Sequence, residues 1–175
     1  MSGTLSVLTG IGHDNNHGAV LTDMSVACER QVMPRCTPSE VPMKITAVVR
    51  NSMASHEVVI RTGTSAQSLS IPLKALGKGS AVNGGEFLML ALATCYCNDL
   101  YREAERLGVP IERVEVEASA EFPGIGLAAT NIKYRATVSS SASSSAVGQL
   151  LRETDAVAEI HNTVRAGVPV ELVLQ

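Results

Sequence analysis

Apolar and polar positions alternate in three short stretches after Met43, then fall into helical spacing, then alternate again. Residues 44–50 (Lys-Ile-Thr-Ala-Val-Val-Arg) and 57–61 (Glu-Val-Val-Ile-Arg) predict two strands joined across residues 51–55, and residues 68–71 (Ser-Leu-Ser-Ile) predict a third. From Gly84 to Leu107 the pattern is that of one long helix, with Asn83 and Glu86 at capping-box spacing and Gly108 as its stop. Residues 113–122 alternate, Val114, Val116 and Ala118 facing inward against Glu115, Glu117 and Ser119, and pair as an antiparallel hairpin with residues 130–139. After a serine-rich stretch at 139–145, Val147, Leu150, Leu151 and Thr154 share one face of a second helix, and residues 168–174 predict a closing strand. Strands grouped in runs, in the order βββ-α-ββ-α-β, define an α+β class: antiparallel sheet packed on a long helix. Residues 1–40 hold neither period and are broken by Pro34 and Pro38, so they read as an N-terminal extension to a domain over 41–175.

Composition narrows the function classes. At 175 residues, 45% hydrophobic and 18% charged, the chain makes one domain with a real core. A net charge of −3, with three Tyr, two Phe and no Trp, lacks both the basic field and the stacking surfaces of a nucleic-acid binder. The longest apolar run, Phe87 to Ala93, is too short to cross a bilayer. The first twenty residues carry no Lys or Arg ahead of an apolar run, so neither a secretory signal nor a transit peptide is expected, and the cytoplasm is the expected compartment.

Several motifs lack their context. Gly124-Ile-Gly-Leu-Ala-Ala129 has dinucleotide-fingerprint spacing but leads into a strand, with no helix N-terminus to hold a pyrophosphate. Gly79 interrupts the Walker spacing at Gly77-Lys78-Gly79-Ser80. His13 and His17 would share a helix face only if Asp14, Asn15 and Asn16 were helical, so no metal site is assigned, and no cofactor is implied.

The chemistry concentrates on the cysteines. Cys28 and Cys36 lie in the extension, and Cys95-Tyr96-Cys97 is a C-x-C pair matching no zinc or thioredoxin spacing. On the long helix Cys97 joins Ala93, Leu100, Ala104 and Leu107 in an apolar stripe, where a small buried hydrophobe is the simplest role. Cys95 joins Leu88, Leu92, Asp99 and Arg102 at the border of the apolar and polar faces, where a thiol can meet a substrate. Arg102 favours a thiolate there and Asp99 opposes it, and the two are also spaced to pair as i, i+3. Cys97, Asp99 and Arg102 are therefore candidates for contacting the substrate. Side chains at i and i+2 diverge by about 200°, which keeps Cys95 and Cys97 from bridging within the helix.

The runs Asn83-Gly-Gly-Glu-Phe-Leu-Met-Leu-Ala-Leu-Ala-Thr-Cys95, Arg102 to Val116, and His161-Asn-Thr-Val-Arg-Ala-Gly-Val-Pro-Val-Glu171 resemble the OsmC/Ohr family over residues 43–175. The resemblance implies an intertwined homodimer with two central helices between sheets and thiol sites at the subunit boundary. It further implies an organic hydroperoxide as substrate, Cys95 as nucleophile, and reopening by a thiol or lipoyl-type dithiol. The family's resolving cysteine, in a Cys-Pro pair before the C-terminal signature, has no counterpart in Ala158-Glu159-Ile160-His161, which leaves Cys28, Cys36 or an external thiol. The peroxidases' Glu, ten residues before the cysteine, is Gly85; Glu86 is one residue closer and also fits the capping box. For the catalytic Arg of an early strand, Arg50 and Arg61 both stand as candidates. The departures also favour a rival from another class, a non-catalytic dimer of this fold that binds a small apolar ligand or senses oxidants through Cys95. A paralogue with a purely structural role is the third reading.

Overall fold

A computed structural model of the chain describes residues 42–174 apart from Met53. The extension, with Cys28, Cys36, His13 and His17, lies outside the described residues.

The first three strands, β1 (Ile45–Asn51), β2 (His56–Thr62) and β3 (Ser65–Leu69), form an antiparallel meander in the order β1-β2-β3. Ser52 N–H donates to the Ser55 carbonyl at 2.9 Å to close the first turn. Gly63 has φ +56°, a left-handed value that suits glycine in the tight turn between β2 and β3. The third strand thus begins earlier than the Ser68–Ile71 alternation indicates, because this turn sets the register Thr62↔Ser65.

Helix α1 (Gly84–Leu107) runs over the predicted span. Asn83 Oδ1 accepts from Glu86 N–H at 3.0 Å and Glu86 Oε2 accepts from Asn83 N–H at 2.7 Å, a complete capping box. Gly108, at φ 65°, ends the helix in the left-handed conformation. Strands β4 (Arg113–Glu121) and β5 (Thr130–Ser139) form a second antiparallel sheet, joined by the loop that holds the Gly124–Ala129 motif, with no helix after it. Helix α1 packs on β4 and on α2 (Ser144–Val157). Tyr96, Leu100, Ala104, Leu150 and Ala158 form the core between them, closed by Val114, Val116, Ala136 and Val138 from the sheet. Truncating a fully buried residue such as Leu150 costs about 2–5 kcal/mol, as for other buried leucines.

Two features differ from the sequence pattern. A third helix, α3 (Glu159–Ala166), follows α2 after a break at Ala158, whose extended backbone (φ −72°, ψ 103°) interrupts the helical run. Residues 168–174 form no strand: a strand needs a neighbouring edge to take its N–H and C=O groups, and none of the described strands pairs with this segment. Val170 and Leu172 are 98% and 85% exposed. The observed order is βββ-α-ββ-αα, within the expected α+β class. No helix among the described residues is long and apolar enough to cross a membrane.

Candidate functional site

The site forms where the middle of α1 meets the start of α3. Helical spacing puts Cys95, Asp99 and Arg102 in successive turns of one face. Tyr96, on the adjoining face, anchors α1 to α2 by donating from its hydroxyl to the Leu151 carbonyl at 2.7 Å. Leu100 beside it is fully buried, so the face carrying Cys95 is held in place by the core.

Cys95 is half-buried, with a free thiol. Its Sγ lies 3.4 Å from Asp99 Oδ2 and 3.9 Å from Glu159 Oε2. Arg102 Nη1 stands 2.8 Å from Asp99 Oδ1 and 3.6 Å from Glu159 Oε1. The N-cap position of α3 is Ala158, which has no side chain to accept from the first turn of the helix. The backbone N–H of Ile160, in that first turn, faces the Cys95 sulfur. Burial pushes the Cys95 thiol above its ordinary pKa; the Ile160 N–H works in the opposite direction, and the Asp99 hydrogen bond and the charges of Asp99 and Glu159 reinforce the rise.

Cys95, Asp99 and Glu159 offer donor atoms within 4.8 Å of one another, a set of the kind that holds a divalent cation. The Arg102 guanidinium already pairs with both carboxylates, one positive charge against two negative, so they are engaged as an ion-pair cluster beside the thiol.

Beside this cluster His161 is buried, its ring 4.3 Å from that of Tyr134 and 5.6 Å from that of Tyr96, centroid to centroid. Neither ring nitrogen has a hydrogen-bond partner among the described residues. Burial holds the imidazole below its ordinary pKa, with the Arg165 charge adding to the effect. Tyr134 donates to Asp155, which also pairs with Arg165 at 2.6 Å. Leu92, Ile132, Tyr134, His161, Val164 and Arg165 line a cavity of about 130 Å³, mostly apolar at its walls.

Of the residues singled out from sequence, the structure brings together Cys95, Asp99 and Arg102. The Asp99–Arg102 pair is more than a surface contact, since Asp99 is only 4% exposed. Cys97 is half-buried on another face of the helix. Glu86 stays in the capping box, nine residues before Cys95 and thus about 14 Å away along the axis. Arg50 on β1 pairs with Glu57 on β2 at 3.1 Å, and Arg61 stands opposite Thr46. Sequence reasoning missed Glu159, the Ile160 N–H and His161. Their signal was the segment 158–161, noticed only for the cysteine it lacks.

Residues 77–173 match the model of a family described as OsmC-like protein. No curated protein sequence matches the chain. Among solved structures, an OsmC-like protein from Mycoplasma pneumoniae superposes with a TM-score of 0.53 at 18% identity, covering 72% of this chain and 89% of that one. An organic hydroperoxide resistance protein OsmC from Legionella pneumophila matches at TM-score 0.48 and 16% identity, with coverages of 77% and 96%. An organic hydroperoxide resistance protein from Elizabethkingia anophelis matches at 0.45 and 14%, with coverages of 71% and 88%.

Proposed function

Because the chain belongs to the OsmC-like protein family, we propose that it is a thiol-dependent peroxidase that reduces organic hydroperoxides in the response to oxidative stress, with Cys95 as its nucleophile. One observation carries this reading: the Cys95 thiol, fixed on a packed helix, lies 3.4 Å from the buried Asp99 carboxylate, which Arg102 holds from its other oxygen at 2.8 Å. A sulfur so placed can take the terminal oxygen of R–O–O–H, giving Cys95 sulfenic acid and the alcohol R–OH.

Ala158 stands where the resemblance puts the resolving cysteine, so reduction of the sulfenic acid falls to an external thiol or a lipoyl-type dithiol, or to Cys28 or Cys36. One thiol condenses with the sulfenic acid to a disulfide and water, and a further thiol opens that disulfide to return Cys95 as the thiol. A reducing cytoplasm suits this cycle. The apolar walls beside His161 favour alkyl hydroperoxides over hydrogen peroxide.

A homodimer is part of the proposal. Ile45, Val49, Val170, Leu172 and Leu174 expose apolar side chains that a second copy can cover. Within one chain Glu86 and Arg50 sit in contacts of their own, so as polarising partners of Cys95 they, or Arg61, come from a second copy.

The test is intact-mass spectrometry of the reduced protein after one equivalent of an alkyl hydroperoxide, with a sulfenate trap and a Cys95→Ser control. A trapped sulfenate, or a disulfide to Cys28 or Cys36, that vanishes in Cys95→Ser, followed by many turnovers with dithiothreitol, is expected. An unoxidised Cys95 overturns the reading. The raised thiol and the alanine at 158 favour a second reading, a one-equivalent redox sensor, which is adopted if Cys95 is oxidised but turnover stops after the first equivalent.

A further inference from the structure

Resting on the peroxidase reading, we propose that Asp99 is a catalytic residue, the acceptor of the Cys95 thiol hydrogen, in an Arg102–Asp99–Cys95 relay. The two carboxylate oxygens of Asp99 have separate partners. Oδ2 receives the thiol at 3.4 Å, and Oδ1 is held by Arg102 Nη1 at 2.8 Å. A nucleophile within hydrogen-bond reach of a base, itself aimed by a third group, is the geometry of activated nucleophiles on unrelated folds. With its side chain 6% exposed, Asp99 keeps this orientation away from bulk water. Glu159 approaches the same sulfur from α3, but at 3.9 Å and with its side chain 68% exposed it is the poorer acceptor.

The environment also dictates when the proton leaves. Among the described residues three groups face the sulfur, Asp99 from α1 and Glu159 and the Ile160 N–H from α3; Arg102 stands behind the two carboxylates and His161 is next along α3. Their sum, with burial, disfavours a free thiolate before substrate arrives. The hydrogen therefore leaves as sulfur attacks, when donation of its lone pair makes the S–H strongly acidic and a carboxylate is basic enough to take it.

The step balances. The sulfur lone pair attacks the terminal oxygen of R–O–O–H, the S–O bond forms and the O–O bond breaks, and the thiol hydrogen passes to Asp99 Oδ2. The departing alkoxide takes that proton back from Asp99. Cys95 is oxidised by two electrons to the sulfenic acid, the hydroperoxide is reduced to R–OH, and Asp99 returns as a carboxylate beside Arg102.

The reduced full-length chain and its Asp99→Asn variant should be followed from about pH 6 to about pH 10, across the ordinary thiol range. Two reactions are read, oxidation by an alkyl hydroperoxide and alkylation by iodoacetamide, with Cys95→Ser as control. At pH 7 the variant should react about 10²-fold more slowly in both, the usual worth of general-base help. The two proteins should converge at the alkaline end, where the thiol has already ionised; a folding defect would lower the rate at every pH. A variant as fast as the parent at pH 7, or faster, overturns the proposal, because Asp99 then only suppresses the thiolate. The parent alone gives a second test, since a relay slows the reaction in deuterium oxide below the thiol pKa, and equal rates in the two solvents overturn it. Asp99-dependent alkylation with no oxidation by hydroperoxide overturns the peroxidase reading instead, and oxidation indifferent to Asp99 overturns only the relay.

Discussion

Phe122, just after β4, lies across Gly85 in the first turn of α1: a Cβ at Gly85 would stand 2.8 Å from the ring Cζ. This is where the resemblance puts the glutamate of the peroxidases, so the hairpin ring occupies space that a side chain at 85 would need. Gly85→Glu is expected to displace Phe122 and to lower the melting temperature, while Phe122→Ala should absorb that loss. A double-mutant cycle on thermal melts should give a coupling of about 1 kcal/mol between the two positions. Additive effects would show that the ring swings aside freely.

Glu86 has a structural duty and a proposed chemical one, and they separate by substitution. Glutamine can complete a capping box, so Glu86→Gln should hold the melting temperature, whereas Glu86→Ala should cost about 1 kcal/mol. If Glu86 polarises the site, Glu86→Gln lowers peroxidase turnover at unchanged stability. Equal turnover assigns Glu86 to the cap alone.

Ala158 occupies the N-cap position of α3, beside the turn that meets Cys95. Ala158→Cys should restore a two-cysteine cycle, in which one equivalent of hydroperoxide joins Cys95 to the introduced thiol as a disulfide and the intact mass falls by two hydrogens. Two free thiols after oxidation, or Cys95 driven on to the sulfinic acid, would show that the geometry does not reach bonding range.

His161 makes stability depend on pH. Burial lowers its folded-state pKa, while in the unfolded chain it titrates near the ordinary value of about 6.5. Above that value both states are neutral and the stability is fully present. As pH falls below it the unfolded chain takes up the proton first, and stability is lost. His161→Phe, which removes two unpartnered nitrogens, should match or exceed the parent at pH 7 and flatten the loss between about pH 6.5 and pH 5. Asp155, held below its ordinary value by Tyr134 and Arg165, acts at lower pH and leaves that window clear. Urea titrations at a series of pH values measure it, and an unchanged acid limb in the variant would rule His161 out as the cause.

Local signals settled much of this protein in advance. Asn83, Glu86 and Gly108 bound α1 by caps that act within a turn, and the alternation of 113–122 with 130–139 fixed the inner face of the hairpin, because strand periodicity needs no distant partner to be read. The spacing of Cys95, Asp99 and Arg102 likewise set them on one helical face. Only the tertiary structure decided that α3 begins against the Cys95 sulfur, that Glu159 adds a second carboxylate there, and that Asp99 is buried enough to hold one orientation. It also decided that residues 168–174 pair with no other strand among the described residues, since a strand exists only where another edge meets it. Periodicity reports which face a residue occupies; what that face meets, sixty-four residues away in the case of Cys95 and Glu159, depends on how the helices close over the core.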